Sequence, residues 1–248
     1  MAVKKPTKLY IYGKHAVAEA LRHAPGAIRA LYLEEPGDKA LRDLARAKGI
    51  AVEPLDLRRV TSMIEGSVAH QGAVALMGAG ELLQDAERFV ESFNPQPGGI
   101  IVFLSEVQDP HNVGAIIRSA AAFGAAAVLL PTHKQSPITA AVVRASAGMA
   151  FQVPLVGVVN PQQTIAALKK KGVRVLGLAA DGALPLEQEH FAACSMLIVG
   201  NEAEGVAPYA RALCDEMLSI DIEPKAESLN VAASAAVALY AARLRRSV

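Results

Sequence analysis

Tryptophan is absent from the 248-residue chain, aromatic residues make up 4% of it, and there are two cysteines. A core cannot then be built around large rings. Small aliphatic side chains must pack closely instead, as helices laid on a parallel sheet allow. Cys194 and Cys214 lie in apolar surroundings with no CxxC and no histidine pair nearby, which argues against a disulfide framework and for buried free thiols in a reducing compartment. No apolar run approaches the roughly 18 residues that span a membrane. The basic stretch Met1 to Lys8 is not followed by the apolar segment of a secretory signal, so a soluble cytoplasmic protein is expected. The histidines are scattered, with no spacing such as HExxH, and no metal site is expected.

What is present is apolar material in quantity: 52% of residues are hydrophobic and 20% charged, enough for one large α/β domain or two smaller ones. The net charge of +1 is unevenly spread. Residues 1–75 hold 12 Lys+Arg against 8 Asp+Glu, and the remainder holds 13 against 16. A basic N-terminal part suits a nucleic-acid partner, and a solvated surface accounts for the same bias.

Element by element, the N-terminal part reads as a βαβαβ-like unit. It has strands at Lys8–Tyr12, Ile28–Leu33, Val52–Leu55 and Ala73–Met77, with helices at His15–Arg22, Lys39–Lys48 (stopped by Gly49) and Leu57–Met63. Glycines and prolines then flank a short charged helix around Leu82 to Ser92. The expected division is a domain over 1–77, a linker over 78–99 and a second domain over 100–248. In the second domain, strands at Ile100–Leu104, Ala126–Leu130, Phe151–Pro154, Val173–Ala179, Met196–Val199 and Met217–Ile222 alternate with helices. Those helices are predicted at Val113–Phe123, Ile138–Ala147, Pro161–Lys171, Pro208–Leu213 and Val231–Arg246. Such alternation predicts a parallel sheet covered on both faces.

Three loops follow strand-like runs in this second domain, and loops at the carboxyl ends of parallel strands gather where ligands bind. The first, Asp109-Pro110-His111-Asn112, opens a helix that carries Arg118 and ends at Phe123-Gly124. Asn112 is a plausible helix cap. Arg118 sits in an apolar helical run, where it either reaches solvent or holds a phosphate or a developing oxyanion. The second, Gly200-Asn201-Glu202-Ala203-Glu204-Gly205, follows Leu197-Ile198-Val199; its glycines let a ligand approach the backbone, or simply make a tight βα turn. It is not a dinucleotide fingerprint, because the middle glycine is missing. The third, Glu227-Ser228-Leu229-Asn230, precedes the final helix, which Ser228 or Asn230 can cap.

Together these loops resemble the three motifs of the SpoU-type (TrmH) branch of the SPOUT methyltransferases: N-x-G-x-x-x-R with a later F-G, G-x-E-x-x-G, and S-L-N-V before a last helix. The N-terminal part, with Tyr12-Gly13-Lys14-His15-Ala16-Val17 and His70-Gln71-Gly72, resembles the substrate-binding domain of the family's 23S rRNA (guanosine-2′-O-)-methylating members. The resemblance implies a C-terminal α/β-knot (a trefoil-knotted parallel sheet) with a small L30e/L7Ae-like α/β domain that binds RNA. It also implies a homodimer with its site near the interface, S-adenosylmethionine as cofactor, and 2′-O-methylation of RNA, foremost a guanosine of 23S rRNA. The same chemistry on tRNA or another rRNA position, or a non-catalytic RNA-binding protein of this fold, are the alternatives.

By the same resemblance Asn112, Arg118, Glu202, Ser228 and Asn230 form the reacting constellation. Gly200, Ile220 and Leu229, with Val199, Asn201 and Gly205 beside them, hold the cofactor, and Lys14, Arg22, Arg58 and Arg59 are candidate RNA phosphate contacts. The chain departs from the family where Asp221 stands in place of a frequent proline and Pro224 in place of a glycine.

Overall fold

Strand Ile100–Leu104 (β6, as numbered below) is buried at every position, and its side chains alternate between two apolar clusters. Ile100, Val102 and Leu104 face one layer of helices, whereas Ile101 and Phe103 face another. A strand with two buried faces must be central in a sheet covered on both sides. The computed structural model, which describes residues 8–56, 70–223, 225–226 and 228–245, places it so. The predicted helix Leu57–Met63, together with Arg58, Arg59, Pro224, Glu227 and Arg246, lies outside the described residues.

The N-terminal unit comprises β1 (Lys8–Tyr12), α1 (Lys14–His23), β2 (Ile28–Leu33), α2 (Lys39–Ala47), β3 (Val52–Pro54) and β4 (Ala73–Gly78). Its sheet order is β1-β4-β2-β3. The βαβαβ-like reading of this part does not extend to the pairing: β4 runs between β1 and β2, antiparallel to both, and only the β2–β3 pair is parallel. Asp38 caps α2 by accepting from the Leu41 N–H at 3.2 Å, and Gly49, at φ +69°, follows its end.

The second unit is an eight-stranded sheet in which every pairing is parallel. In chain order it contains β5 (Leu83–Asp85), α3 (Ala86–Ser92), β6 (Ile100–Leu104), α4 (Pro110–Ala122), β7 (Ala127–Pro131), α5 (Ala140–Ala145), β8 (Leu155–Val158) and α6 (Pro161–Lys170). There follow β9 (Arg174–Leu178), β10 (Leu184–Pro185), β11 (Ser195–Val199), α7 (Pro208–Arg211), β12 (Glu216–Ser219) and α8 (Val231–Arg245). Across the sheet the order is β10-β12-β9-β11-β6-β7-β8-β5. Helices α4, α5 and α8 supply apolar residues to one face, and α3, α6 and α7 to the other.

Three boundaries differ from expectation for identifiable reasons. The charged segment after residue 81 is not one helix: Leu83–Asp85 adds an edge strand to the second sheet beside β8. Leu83 pairs with Leu155 and Asp85 with Gly157 in parallel register. Asp85 then caps α3 through the Glu87 and Arg88 N–H groups. The strand predicted at Phe151–Pro154 begins instead at Leu155, because a 3₁₀ turn at Met149–Phe151 intervenes and Pro154 has no N–H for a ladder. Helix α4 starts at Pro110 rather than Val113. Pro110 occupies its first turn and Asp109 is the cap, accepting from the His111 N–H at 2.8 Å.

Neither cysteine forms a disulfide. Cys194 is buried, and burial together with the Asp215 charge pushes the Cys214 thiol up to about 11, so it is an inert thiol at neutral pH. No helix among the described residues is long and apolar enough to cross a membrane.

Candidate active site

The chain leaves β6 in two directions: β7 and β8 extend the sheet to one side, and β11, β9 and β12 lie on the other. A reversal of this kind opens a crevice at the carboxyl ends of the strands flanking it, here β6 and β11. The loops after β6, β11 and β12 all reach it.

The loop after β6 is fastened to the one after β11. Ser105 donates its N–H to the Val199 carbonyl at 2.7 Å and accepts from the Ala207 N–H on its hydroxyl at 3.2 Å. Glu106 takes a left-handed backbone conformation, φ +63°, and its carbonyl accepts from the Asn201 amide at 2.9 Å. Further out, Val107 donates to the Gln135 side chain at 2.9 Å and accepts from the Ser136 N–H at 3.0 Å, which brings in the loop after β7.

The loop after β11 is a tight hairpin. Asn201 and Gly205 exchange backbone hydrogen bonds at 2.7 and 3.0 Å, with Gly205 left-handed at φ +70°. A Cβ on Gly200 would stand 2.2 Å from the Gly205 carbonyl carbon, so only glycine permits the fold-back. The Asn201 oxygen accepts from the Ala203 and Glu204 N–H groups at 2.8 and 3.1 Å. Asn201 is therefore occupied in both side chain and backbone, and its part is to hold the turn.

At the hairpin tip Glu202 is exposed and accepts from the Asn112 amide at 2.8 Å. The Asn112 oxygen in turn accepts from the Asn230 amide at 3.0 Å. The Asn230 oxygen accepts from the Ala232 and Ala233 N–H groups at 2.9 and 3.3 Å, which caps α8. One residue from each loop thus joins an unbroken hydrogen-bonded chain, Glu202–Asn112–Asn230. With Asp109 taking over the capping of α4, the Asn112 side chain is released for this work.

The remaining candidates are distributed around this chain. Val199 is buried at the end of β11, Ile220 is half-buried against the core, and Leu229 is 39% exposed, an apolar group beside polar ones. Ser228 is exposed and makes no hydrogen bond with a described residue. Arg118 is exposed too, on a stripe of α4 with His111 and Ala122, and has no hydrogen bond or ion pair with any described residue, Asn112 and Glu202 included. Of the candidate RNA contacts, Lys14 pairs with Asp38 at 3.2 Å and Arg22 with Glu19 at 2.6 Å, both retaining about half their side-chain surface, 52% and 51%.

Sequence reasoning did not find Ser105, Glu106 or Gln135, whose bonds fix the loops. Nor did it give a role to Gly182, where a Cβ would stand 2.4 Å from the Leu218 carbonyl carbon and drive the loop after β9 away from strand β12. Among the described residues, no three His, Cys, Asp or Glu gather as a metal-binding set.

A doubly covered parallel sheet, with a polar, glycine-floored crevice at its switch point and a small mixed-sheet domain in front, defines an α/β enzyme with an appended substrate-binding domain. The profile described as "SpoU rRNA Methylase family" matches residues 99–240, and that described as "RNA 2'-O ribose methyltransferase substrate binding" matches residues 10–81. The chain belongs to the SpoU rRNA methylase family. It is 35% identical to the 23S rRNA (guanosine-2'-O-)-methyltransferase RlmB of Ralstonia nicotianae, covering 98% of this chain and 97% of that one. It is 32% identical to the RlmB of Pseudomonas syringae, covering 96% of each. Among solved structures, it resembles the SpoU methyltransferase AviRb from Streptomyces viridochromogenes in complex with AdoMet, with a TM-score of 0.81 and 24% identity over 97% of this chain and 91% of that one. A putative TrmH-family RNA methyltransferase from Porphyromonas gingivalis matches with a TM-score of 0.73 and 26% identity over 96% and 90%.

Proposed function

We propose that the protein transfers a methyl group from S-adenosylmethionine to a ribose 2′-hydroxyl of RNA, at a guanosine of 23S rRNA, in the cytoplasm. The observation that carries this reading is the Glu202–Asn112–Asn230 chain, which joins the three motif loops at the switch point of the sheet. When bound, S-adenosylmethionine supplies a methyl group already activated on a sulfonium. The residues present fit it. Gly200 and Gly205 bring backbone to the crevice floor, Val199 and Asn201 hold the turn that shapes it, and Ile220 and Leu229 give apolar surface for a flat ring.

The protein's part is then to place the hydroxyl in line and to stabilise the charge that develops on it. Asn112 and Asn230 hold Glu202 in a fixed direction, and Ser228, with no hydrogen bond to a described residue, is available to the ribose. A guanidinium stays protonated across the physiological range, so Arg118 acts as a positive charge on the ribose phosphate or the forming alkoxide rather than as a base. Lys14 and Arg22, and Arg58 and Arg59 in the undescribed segment, add phosphate contacts from the N-terminal domain. Discrimination from DNA is inherent, because the 2′-hydroxyl is the reacting atom. Incubation with tritiated cofactor is expected to label 23S rRNA at one guanosine ribose and not tRNA. Label in tRNA alone would shift the substrate, and label in neither would overturn the activity.

The second reading concerns assembly: the protein is a homodimer. Val237, Tyr240 and Leu244 expose an apolar stripe along α8, 42%, 51% and 51% accessible, and the Tyr240 ring packs at a tilt of 55° against Phe123 at the end of α4 with ring centroids 5.7 Å apart. The exposed stripe of α4 with Arg118 adjoins it, so pairing of these faces would carry Arg118 toward a partner's crevice. A solution mass of twice 26.0 kDa is expected from sedimentation, with Tyr240→Glu shifting it toward one chain. A wild-type monomer at micromolar concentration would refute the dimer. The knot that the family resemblance implies is supported by β12 lying between β9 and β10 while Gly182 presses on the Leu218–Ser219 backbone.

A further inference from the structure

Glu19 is a carboxylate on α1 with 7% of its surface exposed, and a charge is costly to bury unless it is paired and hydrogen-bonded. Its partners come from both units of the protein. Arg22, one turn on, donates at 2.6 Å, and the His23 ring nitrogen lies 3.5 Å away. Gln152, from the catalytic unit, donates its amide to the other oxygen at 2.7 Å. Beside that contact Gly148 is left-handed, φ +80°, and a Cβ there would stand 2.8 Å from the Glu19 Cγ. The catalytic backbone therefore approaches α1 as closely as glycine allows.

A second set of contacts fixes the relative rotation of the two units. The Arg144 guanidinium of α5 lies over the Tyr12 ring of β1, 4.8 Å from its centroid, a cation–π geometry. Ala140 of the same helix packs on the cluster of Tyr12, Tyr32 and Val74. Helix α5 is itself fitted tightly against α4: a Cβ on Gly114 would stand 2.4 Å from the Ala145 Cβ and 2.7 Å from the Val142 carbonyl oxygen. Helix α4 carries Asn112 and Arg118. A continuous packed path thus runs from the N-terminal sheet through α5 to the helix that lines the candidate site.

We propose that Glu19, Gln152, Gly148, Tyr12 and Arg144 form a lock that holds the N-terminal domain at one fixed position on α5, so that it serves as a ruler selecting which RNA nucleotide reaches the crevice. The ruler role rests on the RNA methyl-transfer reading above, whereas the lock stands on the contacts alone. With a rigid span, a structured RNA that meets both units gains the effective concentration of a second attachment, and loses it when the span becomes loose. An RNA too short to reach the N-terminal domain gains nothing from the lock.

The full chain with Gln152→Ala and Arg144→Ala, both on exposed positions, tests this without burdening the core. Gly148→Ala serves as an independent wedge against Glu19. Small-angle scattering is expected to show a larger radius of gyration in either variant. The kcat/KM on a 23S rRNA transcript should drop by about 10² relative to wild type, while that on a short hairpin carrying the target changes less than about two-fold. Unchanged scattering in both variants overturns the lock. Expanded scattering with an unchanged ratio between the two RNAs overturns the ruler. A wild-type protein that methylates neither RNA contradicts the functional reading instead, and the scattering comparison still decides the lock.

Discussion

Arg118→Ala is expected to lower methyl transfer by roughly 10²–10³-fold, the usual cost of removing one donor from a developing oxyanion. Cofactor affinity and the unfolding midpoint should both stay close to wild type. The separation follows from where the side chain lies. It is exposed and makes no hydrogen bond or ion pair with any described residue, so its removal leaves no buried group unsatisfied. Surface substitutions of that kind stay within about 0.5 kcal/mol. Arg118→Lys should recover part of the activity, since it keeps a charge while losing the forked geometry. Titration calorimetry beside a transfer assay decides the matter: loss of cofactor binding together with activity would show that Arg118 supports the cofactor site instead.

Gly200→Ala is expected to act in the opposite manner, removing cofactor binding and stability at once. The added Cβ meets backbone in two places, 2.2 Å from the Gly205 carbonyl carbon and 2.3 Å from the Val206 nitrogen, and no flexible side chain can yield. The hairpin must open. That breaks the paired Asn201–Gly205 bonds, pulls Asn201 off the Glu106 carbonyl and turns Glu202 away from Asn112. Overpacking of this sort costs about 1–3 kcal/mol. In a chain of this size, each kcal/mol lowers the unfolding midpoint by roughly 2–4 °C. Scanning calorimetry should show that fall, and cofactor titration should show no saturable heat. Affinity within two-fold of wild type would mean that the crevice floor tolerates a wider turn.

The two substitutions divide the site into a part that does chemistry from the surface and a part that exists because backbones touch. Sequence patterns reveal the first far better than the second. Asn112, Glu202 and Asn230 were legible because each is a polar residue in a short loop after an apolar strand. Their mutual bonds span 90 and 118 residues, and no periodicity predicts those. The role of Asn112 was obscured by a local alternative: a helix cap was the simplest reading until Asp109 proved to hold that position. Ser105, Glu106 and Gln135 carry no local mark at all, because an ordinary serine or glutamine becomes a fastener only when the strands on either side are adjacent. The alternation of β6 was readable as a doubly buried strand, but the edge strand β5 was not. Three residues, Leu83 to Asp85, have too little pattern, and their partner β8 lies about 70 residues further along the chain. The mixed N-terminal sheet was missed because β4 follows the segment 57–69 and slips between strands that are neighbours in sequence.

Asn230 does two jobs with one amide: its oxygen ends a helix and its nitrogen reaches Asn112. Serine, threonine or aspartate would satisfy the helix equally well, yet none offers an acceptor and an amide donor on opposite prongs of one planar group. Folding alone would therefore accept several residues at this position, and the site accepts far fewer. Drift here would produce a protein that is sound by every measure of stability and silent in the assay, so the integrity of the final helix is no guide to whether the crevice still works.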